Sequence, residues 1–170
     1  NRGNVLNDIN ERGLVMVGCG FMGQAMLEGW LNAGVKPDAV YVQDPRPSDW
    51  VMARPGLQVN VTLPESPAVL VIAVKPQMMG QVLPDLSRFG GGETLILTIV
   101  TGYSLASYVT AFGTGTPVAR VMPNLPSAVR AGVSVYSCNA NVTDHQKCLT
   151  ETLLCAVGVA IPLEDEEQLH

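Results

Sequence analysis

The chain has 170 residues, 47% of them hydrophobic and 15% charged, with a formal net charge of -5 and a pI near 4.9. Such a composition describes one compact, core-rich domain with at most a short appendage, and excludes a disordered chain. The acidic balance argues against nucleic acid or an anionic membrane as the main partner, so phosphate recognition must be local, through backbone amides and one or two cations.

Residues Asn1 to Arg12 carry no strong pattern and read as a loose leader open to disorder. Leu14-Val15-Met16-Val17 reads as a buried strand. It runs into Gly18-Cys19-Gly20-Phe21-Met22-Gly23 and a helix from about Phe21 to Ala33, with Met22, Ala25, Met26, Gly29 and Ala33 on one face and Gly34 as C-cap. A GxGxxG run is weak alone, but between a strand and a helix it stands where a dinucleotide site needs it. Gly18 permits the sharp turn, Gly20 lets a pyrophosphate approach the backbone, and Gly23 lets the helix pack on the strand. The helix N-terminus then offers free N–H groups and a positive dipole.

Val40-Tyr41-Val42-Gln43 is a second strand, stopped by Asp44-Pro45-Arg46-Pro47, whose two prolines argue against a long helix directly after it. Asp44 can accept hydrogen bonds from both adenosine ribose hydroxyls, which favours NAD. Arg46 can grip a 2′-phosphate, which favours NADP. Asp44 can also simply begin an Asp-Pro turn. The choice between NAD and NADP stays open on these residues.

Leu57 to Val61 reads as a third strand, and Ala68 to Val74 as a strand covered on both faces, ended by Lys75-Pro76. This is the longest apolar run, well short of the roughly 18 residues of a membrane span. A helix over Met78 to Phe89 follows, then a break at Gly90-Gly91-Gly92, a buried strand over Thr94 to Val100 and a helix capped by Ser104 to about Phe112. Val118 to Met122 is a strand ended by Pro123-Asn124-Leu125-Pro126. The final third holds a strand over Gly132 to Ser137, a helix over Thr143 to Val157 with a Thr143/Gln146 capping box, and a strand over Val159 to Leu163.

Strands alternating with helices imply an α/β, Rossmann-type doubly wound and mostly parallel sheet with helices on both faces. The expected division is a leader over 1–12, a nucleotide-binding domain over 13–163 and the start of a linker over 164–170. Ligands of such sheets sit outside the strand carboxyl ends. Ala73-Val74-Lys75-Pro76, Thr98 to Gly102 and Met122 to Pro126 therefore border the crevice, with Pro123 and Asn124 as substrate-pocket candidates.

Nothing in the pattern makes a hydrolytic or metal site. His145 and His170 read as surface residues, and Glu164-Asp165-Glu166-Glu167 as a solvated helix start or linker. The four cysteines, Cys19, Cys138, Cys148 and Cys155, lack metal-binding spacing and suit a reduced, cytoplasmic protein. Cys148 and Cys155, seven apart, are expected on one helix face as core fillers.

Taken in order, Gly18-Cys19-Gly20-Phe21-Met22-Gly23, Ala73-Val74-Lys75-Pro76 and Arg120-Val121-Met122-Pro123-Asn124-Leu125-Pro126 resemble the motifs of the pyrroline-5-carboxylate reductase family. Ala131-Gly132-Val133 through Asp144, and Ile161 to His170, are similar too, so the resemblance covers about Arg12 to His170. It implies NAD(P)H-dependent reduction of the C=N bond of 1-pyrroline-5-carboxylate, the last step of proline synthesis. It also implies a Rossmann domain followed by a helical domain that dimerises. By the same resemblance Val17 to Met22 hold the pyrophosphate, and Gln43, Asp44 and Arg46 meet the adenosine end. Ala73, Val74, Lys75 and Pro76 border the nicotinamide together with Ile99, Val100 and Thr101.

Two departures stand out. The stretch between Gly56 and Ala68 is short, so the crossover helix there is expected to be truncated, and Asn60 is the candidate for an asparagine that the family uses near the cofactor. The helical domain, with the catalytic and most substrate contacts, is expected beyond His170. This chain alone is therefore expected to bind cofactor with little or no turnover. It is also expected to be a monomer or weak dimer, where the whole protein is a homodimer or larger. The rival readings are a related two-domain dehydrogenase of the 3-hydroxyacid type and a non-catalytic dinucleotide-binding redox sensor.

Overall fold

A computed structural model describes residues 2–124 and 132–169. Asn1, Leu125, Pro126, Ala131 and His170, named above, lie outside them. Eight strands form one sheet: Leu14–Val17 (β1), Val40–Gln43 (β2), Gln58–Val59 (β3), Val69–Ile72 (β4), Leu95–Thr98 (β5), Val118–Asn124 (β6), Gly132–Cys138 (β7) and Gly158–Pro162 (β8). Their order is β3-β2-β1-β4-β5-β6-β7-β8. All neighbours pair in parallel except β6 and β7, which are antiparallel. The chain leaves β1 on one side for β2 and returns on the other for β4. That reversal opens a crevice at the carboxyl ends of β1 and β4.

β1, β4 and β5 are apolar at nearly every position because both of their faces are covered. On one face Leu14, Met16, Val69, Val71, Leu95 and Leu97 meet side chains from Arg2–Arg12 (α1), Phe21–Ala33 (α2) and Asp144–Cys155 (α6). On the other, Val15, Leu70, Ile72 and Ile96 meet Met79 and Leu86 of Met79–Leu86 (α4) and Tyr108 and Phe112 of Leu105–Phe112 (α5). Each large apolar side chain so buried contributes about 1.5–3 kcal/mol.

The amino terminus differs from the expected loose leader. α1 packs on α6 and buries Val5 and Ile9 in the core. Two apolar residues four apart make a stripe too narrow to stand out in a polar segment. The polar residues serve as ties. The Asn10 amide donates to Gly34 O (3.2 Å) and accepts from Lys36 N (2.8 Å). The Arg12 guanidinium donates to Pro67 O (3.3 Å) and Glu93 O (2.7 Å), drawing together loops at the amino-terminal edge of the sheet.

α2 ends on Gly34 in the left-handed conformation, as its sequence predicts. Its buried face is rotated from the predicted one, to Gly23, Met26, Leu27, Gly29 and Trp30, with Ala33 exposed. Trp30 decides the rotation: it is fully buried, and its Nε1 donates to Leu153 O (2.8 Å) on α6.

Ser104 and Thr143 cap α5 and α6 as expected, the latter with the complete capping box. The helix expected over Met78 to Phe89 is shorter: α4 carries Pro84 and is flanked by 3-10 turns at Pro76–Met78 and Ser87–Phe89. Asp49–Ala53 (α3) is a five-residue helix before β3, and no helix occurs over residues 60–68. Cys148 and Cys155 are both half-buried, and of the two Cys148 packs against the core.

The acidic stretch near the end is a short helix start, as one of the two expectations had it: Asp165 caps a 3-10 turn over Glu166–Gln168, and Glu164, Asp165 and Glu167 are exposed, but Glu166 is not free. The Glu166 carboxylate accepts Leu105 N at the start of α5 and pairs with Arg120 Nη1 at 3.0 Å, while Leu169 is buried. Val133, Val159 and Ile161 are exposed by 39%, 60% and 42%. The register aligns Val133 with Val159 and Val135 with Ile161, so these side chains share one face of β7 and β8.

Gly158 has φ +151°, and a Cβ there would lie 1.9 Å from Gly132 O. Gly158→Ala is expected to lower stability by about 1–3 kcal/mol through overpacking between β7 and β8. At Gly80 in α4 an added Cβ meets nothing within 4 Å, and Gly80→Ala is expected to raise stability by about 0.4–1 kcal/mol. Urea unfolding midpoints of the two variants check both signs.

Candidate functional site

The predicted site residues converge on β1. Gly18 follows the last residue of β1 with φ +77°, and a Cβ on it would lie 2.8 Å from Ala73 O and 2.9 Å from Val74 Cγ1. Only glycine lets the loop after β4 come this close. Backbone bonds seal the junction on both sides: Gly18 N donates to Gln43 O (2.7 Å), and Ala73 N donates to Val17 O (2.8 Å). A Cβ on Gly23 would sit 3.3 Å from Ala73 Cβ and 3.7 Å from Met16 Sδ, so α2 lies tight against the sheet at its first turn.

Gly20 is different. It is the N-cap of α2, and a Cβ there would meet nothing within 4 Å. α3, α5 and α6 each have a side-chain cap, whereas α2 has none. Its leading N–H groups therefore face open space without a capping oxygen. Phe21 is 79% exposed beside them. An open approach, unsatisfied donors and a helix dipole together make a cradle for an anion, and the residues present fit a dinucleotide pyrophosphate.

The adenosine-end candidates are arranged less simply. Both oxygens of Asp44 are engaged by backbone: Oδ2 accepts Cys19 N (3.1 Å) and Oδ1 accepts Arg46 N (2.9 Å). The Asp-Pro turn and the glycine-loop contact thus coexist in one residue. Gln43 turns away, its Nε2 donating to Val61 O (2.9 Å). Arg46 and Lys75 are exposed, and among the described residues neither is in an ion pair. They supply local cations on an acidic chain.

Val17, Ile72, Thr98 and Arg120 stand level across β1, β4, β5 and β6. The segments after them, Ala73 to Pro76 and Ile99 to Thr101, therefore lie on one rim. β6 continues past that level, carrying Pro123 and Asn124 opposite Ser134 and Val133 of β7. The loop after β5 is fixed from beneath. Thr98 Oγ1 accepts Val100 N (3.2 Å) and bonds the Tyr108 hydroxyl (2.6 Å). Tyr108 and the Arg120–Glu166 pair escaped the sequence reading, because their partners lie 10 and 46 residues away.

Burial, then the charge of Asp44, pushes the Cys19 thiol up to about 12. It stays protonated and is no nucleophile. Burial also lifts Tyr108 to about 12, opposed by its bond to Thr98, and Cys138 to about 11.

A family model described as NADP oxidoreductase, coenzyme F420-dependent, matches residues 13–100, just over half of the chain. The chain belongs to this family. The matched span of this oxidoreductase family runs from the residue before β1 to just past β5. Pyrroline-5-carboxylate reductase of Pseudomonas aeruginosa is 32% identical over 161 residues, which are 92% of this chain and 59% of that protein. The Methanosarcina acetivorans reductase is 31% identical over 156 residues, 88% of this chain and 57% of its own. The structure of a pyrroline-5-carboxylate reductase from Coxiella burnetii matches with a TM-score of 0.82 at 26% identity, over 94% of this chain and 61% of the other. The NADP-bound structure of Plasmodium falciparum pyrroline carboxylate reductase shares the fold, with a TM-score of 0.81 at 23% identity over 94% and 60% of the two chains. The Rossmann-type fold and the resemblance carried by the three motifs are borne out. The chain spans about three fifths of the length of these relatives.

The raised thiols and phenol set an alkaline weakness. Their unfolded values are 9.0 for Cys19 and Cys138 and 10.0 for Tyr108, below the folded ones. The stability they contribute is whole below pH 9 and is lost as pH rises toward 12, because only the unfolded state ionises there. Urea midpoints are expected to fall over that window, and less steeply in Cys19→Ala.

Proposed function

We propose that this chain binds NADPH or NADH across its glycine loop, as the cofactor-binding part of a pyrroline-5-carboxylate reductase. The open, uncapped helix start at Gly20 carries this reading. The reductases similar to this chain support the choice of a cyclic imine as the small-molecule substrate. The bound cofactor supplies the hydride. The protein's part is placement. The first N–H groups of α2 take up the pyrophosphate charge, and Gly18 and Gly23 hold the loop against Ala73. Ala73 to Pro76 and Ile99 to Thr101, on one rim, would border the nicotinamide, and Pro123 and Asn124 on the continuation of β6 would stand on the imine side. At the adenosine end Asp44 is committed to two backbone amides while Arg46 points its charge outward. That balance favours a 2′-phosphate, and so NADP.

The same reading places the whole protein in the cytoplasm, in keeping with four free thiols, and makes it a homodimer or larger assembly. The exposed Val133, Val159 and Ile161 supply an apolar patch for such contact. No described helix is long and apolar enough to cross a membrane.

Cofactor titration against Trp30 and Trp50 fluorescence tests the site. NADPH is expected to bind the parent chain, and Gly20→Val to fold normally with binding reduced about tenfold or more, since a branched side chain would stand in the open pyrophosphate path. Arg46→Ala is expected to weaken NADPH by about 1.5–3 kcal/mol through a lost charged contact, leaving NADH nearly unchanged. Equal NADPH affinity in folded Gly20→Val would overturn the assignment.

Followed by NADPH absorbance with pyrroline-5-carboxylate, this chain is expected to turn over far more slowly than a full-length relative. One wall leaves the imine unoriented, and about 7–11 kcal/mol of positioning advantage goes unused. Comparable rates would place the catalytic groups within these 170 residues.

A further inference from the structure

We propose that Asn60 is a positioning residue of the glycine loop, acting on Cys19 through Asp44. The inference rests on the dinucleotide reading for its functional meaning and on the following geometry for its mechanism.

Asn60 follows β3 and has φ +53°, the sole positive φ outside glycine among the described residues. That conformation is costly for most side chains and least so for asparagine. Its own N–H donates to Val42 O (2.8 Å), which pins it to β2. From there the side-chain amide closes on one residue with both ends. Nδ2 donates to Asp44 O (2.9 Å), and Oδ1 accepts Asp44 N (3.0 Å). Both main-chain polar groups of Asp44 are thus held, and its carboxylate is left to accept Cys19 N and Arg46 N. Hydrogen bonds therefore run from the tip of β3 through the tip of β2 to the glycine loop after β1.

These bonds lie at the surface, where the net gain of each is small. An uncommon left-handed residue on an exposed rim, spent on holding one carboxylate, points to function more than to stability. The arrangement assigns the Cys19 amide to Asp44 and leaves the following amides of α2 for an anion. It also keeps the Asp44 carboxylate at the loop and away from a ribose, which suits NADPH over NADH. The family resemblance marks Asn60 as a candidate near the cofactor; that it clasps the backbone of Asp44 is not legible in the sequence.

Asn60→Gly isolates the clasp, since glycine adopts the positive φ without strain. Two readouts decide. In the cofactor-free chain, hydrogen exchange by NMR is expected to quicken at the Cys19 and Arg46 amides, with core amides such as Val71 and Leu97 unchanged. In titrations NADPH affinity is expected to fall about tenfold, from the loss of a preorganised cradle, and NADH affinity to fall less as the freed Asp44 reaches the ribose.

Unchanged Cys19 exchange together with an unchanged NADPH-to-NADH affinity ratio would overturn the proposal. So would a uniform loss of protection that includes the core, which marks a merely structural part. If the parent chain binds neither cofactor while Cys19 still responds, the relay stands and the dinucleotide reading falls.

Discussion

One missing side chain governs the carboxyl edge of this sheet. At Gly18 the chain turns so close to Ala73 that no Cβ fits, and the two strand ends become one surface instead of two separate loops. The helix that starts three residues later inherits its direction from that turn. The approach of β4, the tilt of α2 and the opening in front of Gly20 are consequences of the same contact. Relaxing it would move the donors at the helix start away from the rim that has to face them.

Most of the fold was legible because its signals are local. Continuous apolar runs marked β1, β4 and β5, and Ser104, Thr143 and Gly34 marked helix ends that the structure reproduces. The glycine loop was legible for the same reason: its chemistry is written within six residues. What escaped depends on partners far along the chain. α1 is a helix because Val5 and Ile9 find α6, about 140 residues away, and nothing in its own polar sequence announces that. Glu166 looked solvated among four acids until the fold set Arg120 beside it. The buried face of α2 was misjudged because the anchor of Trp30 is a carbonyl of α6.

The candidate site shows the same division. Asp44 and Arg46 were placed correctly at the end of β2, yet their competition was unreadable from two side-chain charges. Hydrogen bonding adds what charge alone does not show: each Asp44 oxygen accepts one backbone amide, while the Arg46 side chain has no hydrogen-bond or ion-pair partner among the described residues. A residue's type tells what it can bind; its existing partners tell what it has left to offer. An acidic chain can in this way present a locally positive rim without changing its overall charge.

The helix α1 lies outside the stretch over which the family pattern is recognised, which begins at residue 13. Physically it belongs to the domain all the same, since it fills part of the core and pulls three loops together at the edge opposite the crevice. A domain boundary drawn at residue 13 would therefore cut through a packed interface. The trimmed protein would present the bared side of α6 to its neighbours in solution, and the first symptom would be self-association through a surface that takes no part in the glycine loop.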